Sequence, residues 1–204
     1  MSKATIWNYL RNAGLSPIAV AGIMGNMEAE SNCEAMRVQG DFGYARYMSQ
    51  HYADMVNTGT MSVDTFMNDA KGWGLCQWTY YTRKMELYNF CKERGVGIED
   101  ETAQLDFFLL EAQRDYPTMW KQLKSATDIK TAAYLVCHNY ERPAVENINA
   151  RTDYGQKIYD QYNKSAVVEN PSDNDWIKDG IEYWTSVRDE IQQKIDALQA
   201  RLSK

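Results

Sequence analysis

The chain has 204 residues, enough for one sizeable core or for a medium domain with an appendage. Its 44% hydrophobic and 25% charged content excludes wholesale disorder, and the absence of any run of about 18 apolar residues excludes insertion into a membrane as a spanning helix. A net charge of −6, with no local basic stripe, argues against a nucleic-acid partner bound through its phosphates.

The opening residues, Met1 to Trp7, are too polar and too soon aromatic for a secretory signal, so work outside the cytoplasm would need another route of delivery. A short helix is predicted over 4–12, stopped by Ala13-Gly14. A second begins with Ser16 as N-cap and Pro17 at the first helical position and runs to about Glu30. Its interior is apolar on nearly every side, the pattern of a helix buried in the middle of a domain. Between 32 and 68 the pattern is weak, with a helix expected around 47–56 and turns near Gly40-Asp41 and at 57–59. A small hairpin is expected before Gly72. Helices follow over 82–94, 101–112, 117–123 and 128–140, with a further one at 154–162. The first 164 residues therefore read as one mainly helical domain with a small irregular, β-like lobe.

A polar stretch at 165–174, carrying Pro171, reads as a linker. Beyond it, 175–204 reads as an amphipathic helix with a seven-residue repeat. Ile181, Arg188, Ile195 and Leu202 share one seam position, and Ile177, Trp184, Ile191 and Leu198 the other. Such a stripe predicts a homo-oligomer or an assembly contact through 175–204, with folding back onto the domain as the alternative.

The chemistry-bearing residues are few. Four cysteines without CxxC spacing and only two histidines, His51 and His138, leave little for a zinc site, so no metal or cofactor is expected. Free buried thiols are preferred over a Cys nucleophile paired with His138. Six Trp and fourteen Tyr suit a polar neutral ligand such as a sugar, and equally an ordinary core. Two carboxylates, Glu28 and Glu30, end the apolar second helix about 160° apart around its axis. Whichever faces the interior would be held protonated by desolvation and could donate a proton, whereas exposure at the helix end would make both ordinary. Further on, Gly72-Trp73-Gly74-Leu75-Cys76-Gln77-Trp78-Thr79 sets two glycines around an aromatic, then an amide and stacking faces at Trp78, Tyr80 and Tyr81.

In this order the segments resemble the phage tail-lysozyme family of the lysozyme-like superfamily. The matching residues are Gly25, Asn26, Glu30 and Ser31; then Gly72 to Leu75, Gln77, Trp78, Thr79 and Arg83; then Asn139-Tyr140-Glu141-Arg142-Pro143. The resemblance spans roughly residues 5–162. It implies a lysozyme-like fold and a muramidase cutting the β-1,4 bond between N-acetylmuramic acid and N-acetylglucosamine in bacterial peptidoglycan. It also implies a virion-associated lysin or endolysin, found in the virion or in the host cytoplasm before release. It selects Glu30 over Glu28 as general acid, because the family's acid is followed directly by Ser. It makes Asp69 the candidate second carboxylate, although the match is offset by about one residue and Thr79 stands where a relative has another Asp. Asp41 and Asp64 compete with Asp69. Gln77, Trp78, Tyr81 and Tyr140 become substrate-binding candidates, with Tyr80 beside them, and Glu141 is expected to pair with Arg142. Three alternatives stay open: a lytic transglycosylase forming 1,6-anhydro products, a non-catalytic wall-binding or tail structural module, and an assembly protein acting through its tail.

Overall fold

The computed structural model describes residues 2–41 and 46–163. The chain divides into two units, residues 1–163 and 164–204. The linker expected at 165–174 and the heptad segment at 175–204 lie outside the described residues, and so does the oligomer contact predicted from them.

The first unit is mainly helical, as expected. It runs α1 (Lys3–Asn12), α2 (Pro17–Ser31), α3 (Arg46–Thr58), α4 (Val63–Asn68), α5 (Tyr81–Glu93), α6 (Glu101–Asp115), α7 (Pro117–Lys124), α8 (Ile129–Leu135) and α9 (Ile148–Tyr162). A π-helical turn, Val136–Glu141, continues α8. Side-chain caps set several starts: Ser16, Ser62, Asp100 and Asp128 accept from the backbone N–H three residues on, at 2.8–3.1 Å. α4, over which no helix is expected, and the first half of α9 carry no clear apolar stripe, and α9 begins six residues earlier than the periodicity predicts.

α2 is the hub, and it packs most extensively on α9 and α8. Every residue from Ala19 to Met27 is buried. The close packing depends on missing side chains. A Cβ on Gly22 would lie 2.4 Å from the Cβ of Ala132, and one on Gly25 would lie 2.3 Å from the carbonyl oxygen of Arg151. Gly155 reciprocates, since a Cβ there would sit 2.7 Å from the Ala21 carbonyl. Backbone against backbone leaves no flexible side chain to give way. Gly25→Ala, despite gaining about 1 kcal/mol of helix propensity, is therefore expected to destabilise by about 2 kcal/mol net. Thermal unfolding should show a Tm roughly 4–8 °C lower; an unchanged Tm would refute the close crossing.

Strand pairing among the described residues is limited to two isolated antiparallel bridges, Val38 with Trp73 and Trp73 with Trp78. The small hairpin thus lies after Gly72 rather than before it. Trp73 and Trp78 exchange N–H···O bonds of 3.2 and 3.0 Å around a turn at 74–77. Left-handed backbone at Gly74 (φ 74°) and Gln77 (φ 47°) closes that turn. No helix among the described residues is long and apolar enough to cross a membrane.

Candidate active site

Glu28 and Glu30 leave α2 on opposite sides, as the helical geometry predicts. Glu28 Oε1 accepts from Lys3 Nζ (2.6 Å) against α1. Glu30 lines a cleft of about 1200 Å³ and keeps 19% of its side chain exposed. The sequence predicts an apolar, water-poor setting for it. The structure instead supplies an ion-pair partner: Arg151 Nη2 donates to Glu30 Oε1 at 2.6 Å. Arg151, itself buried, also donates from Nη1 to Asn26 Oδ1 (3.0 Å) and from Nε to the Glu146 carbonyl (2.8 Å). Asn26 in turn donates to the Gly22 and Ala133 carbonyls at 2.8 and 3.0 Å. The absent Cβ of Gly25 lets α9 come close enough for this chain of contacts.

The residue after Glu30 joins α2 to the glycine loop. Ser31 Oγ lies 2.9 Å from the carbonyls of both Met27 and Leu75, so its hydroxyl bridges helix and loop. Gln104 of α6 clamps the loop from behind. Its Oε1 accepts from Leu75 N–H (2.9 Å), while its Nε2 donates to the Ala35 and Ile98 carbonyls. A Cβ on Gly74 would meet this amide at 2.4 Å, so that glycine is required twice over. Gln77 lines the cleft, with its Nε2 donating to the Arg37 and Gly74 carbonyls at 3.1 and 2.9 Å.

Trp78 does not reach the cleft. It is fully buried, edge-on to Phe107, and its indole N–H lies 3.1 Å from Glu111 Oε2 and 3.0 Å from Tyr140 Oη. The expectation of a sugar-stacking role is corrected: an aromatic with a polar edge has found a polar network inside the core. Glu111 is the centre of that network. Arg83 grips it in a fork, Nε to Oε1 at 2.6 Å and Nη2 to Oε2 at 2.9 Å, and Tyr140 Oη donates to Oε2 at 2.5 Å. Burial works against the charge of Arg83, but Tyr140, Glu111 and Glu141 outweigh it and hold the guanidinium above its ordinary range. Tyr140 borders the cleft but is buried, its ring covered by Arg83 at 4.4 Å, and burial raises its phenol well above the usual value. Tyr80 and Tyr81 are different. They are 62% and 48% exposed, face the same cleft, and sit 4.8 Å apart at 49°.

Asp69 is not among the residues lining the cleft, although its neighbours Asn68 and Ala70 are, and its carboxylate is committed to partners inside the protein. Its Oδ1 accepts from Lys84 Nζ (2.6 Å) and Lys71 N–H (2.9 Å), and its Oδ2 from Tyr52 Oη (2.6 Å). The Lys84 side chain is entirely buried. Burial alone would raise the pKa of Asp69, but Lys84, Tyr52 and Lys71 outweigh it and lower it. Asp41 is buried with Ser49 Oγ at 2.6 Å, and Asp64 sits exposed in the first turn of α4, its backbone and side-chain oxygens accepting from Asn68. Neither lines the cleft. His138 pairs with Glu146 (Nδ1 to Oε1, 2.6 Å) and stacks on Tyr134, and so it makes no couple with the buried Cys137. All four cysteines are free and buried.

The expected Glu141–Arg142 pair is absent. Arg142 Nε donates to the Asn139 carbonyl (2.9 Å) and its guanidinium covers the Tyr116 ring. Glu141 lines the cleft with Glu30 instead. Burial first, and then the neighbouring Glu30, push its pKa up to about 8, against the lowering effect of Arg83 and Arg151. Sequence reasoning missed Arg151 and Glu111. The first lies in a helix start without a side-chain cap, and the second lies in the apolar run of α6 as a charged residue whose partners are 28–29 residues distant.

The α2 carboxylate, the glycine loop and the π-turn thus converge on one cleft from three parts of the chain. A family model described as phage tail lysozyme matches residues 2–162, from the cap of α1 to the end of α9. That span takes in every element described above, and the chain belongs to the phage tail lysozyme family, as a lysozyme-like peptidoglycan hydrolase.

Proposed function

We propose that the protein is a muramidase that cuts the β-1,4 bond between N-acetylmuramic acid and N-acetylglucosamine, acting on the bacterial cell wall as a virion-associated lysin or an endolysin. The observation that carries this reading is Glu30 on the wall of a cleft of about 1200 Å³ shared with Gln77, Tyr80 and Tyr81. That volume suits several sugar rings rather than one. Glu30 acts on the glycosidic oxygen, delivering a proton as the bond to C1 weakens, and water meets the oxocarbenium-like centre. Arg151 and Asn26 fix the carboxyl's direction, a positioning role.

Mass spectrometry of digested peptidoglycan tests the reaction. Soluble fragments with new reducing N-acetylmuramic acid ends are expected. Fragments ending in 1,6-anhydro sugars would make the protein a lytic transglycosylase, and binding without release would make it a wall-binding module. The exposed pair Tyr80 and Tyr81 supports a sugar-stacking platform. The double substitution Tyr80→Ala with Tyr81→Ala is expected to raise KM about tenfold, equivalent to about 1.4 kcal/mol of binding, with kcat within about threefold. An unchanged KM would remove the platform.

A further inference from the structure

Glu141 is the last residue of the π-helical turn, which closes when Arg142 adopts a left-handed conformation (φ 51°) and donates its N–H to the Cys137 carbonyl at 2.8 Å. Pro143 follows and ends any helical continuation. Such widened turns are rare and recur at functional sites. Here the turn sends Tyr140 into the core and brings the next side chain, Glu141, to the cleft.

The surroundings of Glu141 are unlike those of a structural carboxylate. Glu111 in the same wall has both oxygens occupied by Arg83, Trp78 and Tyr140. Glu86 and Asp115, also on the cleft, both pair with Arg114. Glu141 Oε1 is sealed from solvent and has no hydrogen-bond partner among the described residues. Its carboxyl hydrogen-bonds with the Cys76 thiol of the glycine loop, and it feels the charges of Glu30 on α2, Arg83 on α5 and Arg151 on α9. A buried carboxyl oxygen left unmatched is costly and calls for a reason; Glu28 Oε2 shares that state, but only Glu141 of the two lines the cleft. Glu30 and Glu141 thus line one cleft where the C-terminal end of α2 meets the π-turn, and Asp69 is not among the lining residues.

We propose that Glu141 is a catalytic residue, the second carboxyl of this active site, which works with Glu30 as a pair. The proposal rests on Glu30 acting at the glycosidic bond. The pair holds one proton near neutral pH, because burial and the adjacent Glu30 raise the pKa of Glu141 to about 8. As the C1–O4 bond breaks, that proton passes to the leaving oxygen and the bonding electrons leave with it. Water then bonds to C1 through its oxygen, and its released proton returns to the pair. One water is consumed and one proton is spent and recovered.

The test compares the full-length wild type, Glu141→Gln and Glu30→Gln on peptidoglycan. Glu141→Gln is expected to lower kcat at least about a hundredfold with KM within about twofold. The wild-type rate should fall as pH rises through about 8, where the pair loses its proton, and that limb should vanish in the Glu141→Gln variant. Glu141→Gln activity within about threefold of wild type, with the same basic limb, would overturn the proposal. Carboxyl-labelled NMR supplies a second readout independent of that variant's folding. Glu141 should titrate at lower pH in Glu30→Gln than in wild type, and an identical titration in both would also overturn the pairing. A wild type that leaves peptidoglycan intact would overturn the muramidase reading itself. Cleavage by wild type, loss in Glu30→Gln and retention in Glu141→Gln would overturn only the role of Glu141.

Discussion

Glu30→Gln is expected to reduce wall solubilisation by roughly a thousandfold while the domain stays folded. The rate falls because an amide cannot pass a proton to the glycosidic oxygen, and positioned acid–base catalysis supplies a factor of about 10²–10⁴. The fold survives because the amide oxygen still accepts from Arg151 Nη2, and Arg151 keeps Asn26 Oδ1 and the Glu146 carbonyl. What is lost is the charge opposite a buried guanidinium. Removing one partner of a fully buried pair costs about 3–5 kcal/mol. The open side of Glu30, with 19% of its side chain exposed, reduces that to about 1–2 kcal/mol. Circular dichroism and thermal unfolding measure the second effect separately from turbidity loss. Glu28→Gln is the matched control: Glu28 pairs with Lys3 outside the cleft, so its loss should leave turnover within about twofold. Wild-type clearance by Glu30→Gln would end the assignment.

Asp69→Asn is expected to damage stability rather than chemistry. The Lys84 ammonium is wholly buried, 2.6 Å from Asp69 Oδ1, 3.0 Å from the Lys71 carbonyl and 4.2 Å from the Phe66 ring centroid. An amide there removes the only carboxylate bonded to that ammonium among the described residues, for a loss of about 3 kcal/mol and roughly 6–12 °C in Tm. The pH dependence has a definite sign. Because the pKa of Asp69 is lowered in the folded protein, its contribution is complete above the ordinary Asp value near 3.8. It disappears as pH falls through the lower, folded value. Adding Lys84→Met to Asp69→Asn should recover most of the loss, since no buried charge then lacks a partner. A folded Asp69→Asn protein with normal Tm and no activity would restore Asp69 as the water-activating base.

The sequence made the frame of the site legible and left its partners hidden. Ser16 and Pro17 announce the start of α2, and helical geometry alone separates Glu28 from Glu30. The order of the glycine loop and the segment ending at Pro143 was visible too. Trp78 was misjudged because a polar motif disguised a core residue: only the fold brings Glu111 and Tyr140, 33 and 62 residues away, to its indole. Arg151 went unseen for a related reason. Asn147 enters α9 in a left-handed conformation with no capping side chain, and the first turn of the helix carries no stripe. Asp69 looked available because a carboxylate near a glycine motif carries no mark of its partners, and Lys84 lies 15 residues downstream. Helix starts and opposite faces are local properties, whereas charge partners are supplied by tertiary contact.

The hydroxyl of Ser31 has a consequence for how ready the cleft is between turnovers. It ties the helix bearing Glu30 to the strap bearing Gln77, and Gln104 braces that strap from the rear. Neither group has to be marshalled into place when a glycan strand arrives. The entropy of assembling that half of the machinery is spent once, when the chain folds, and every later catalytic cycle begins from a wall already built.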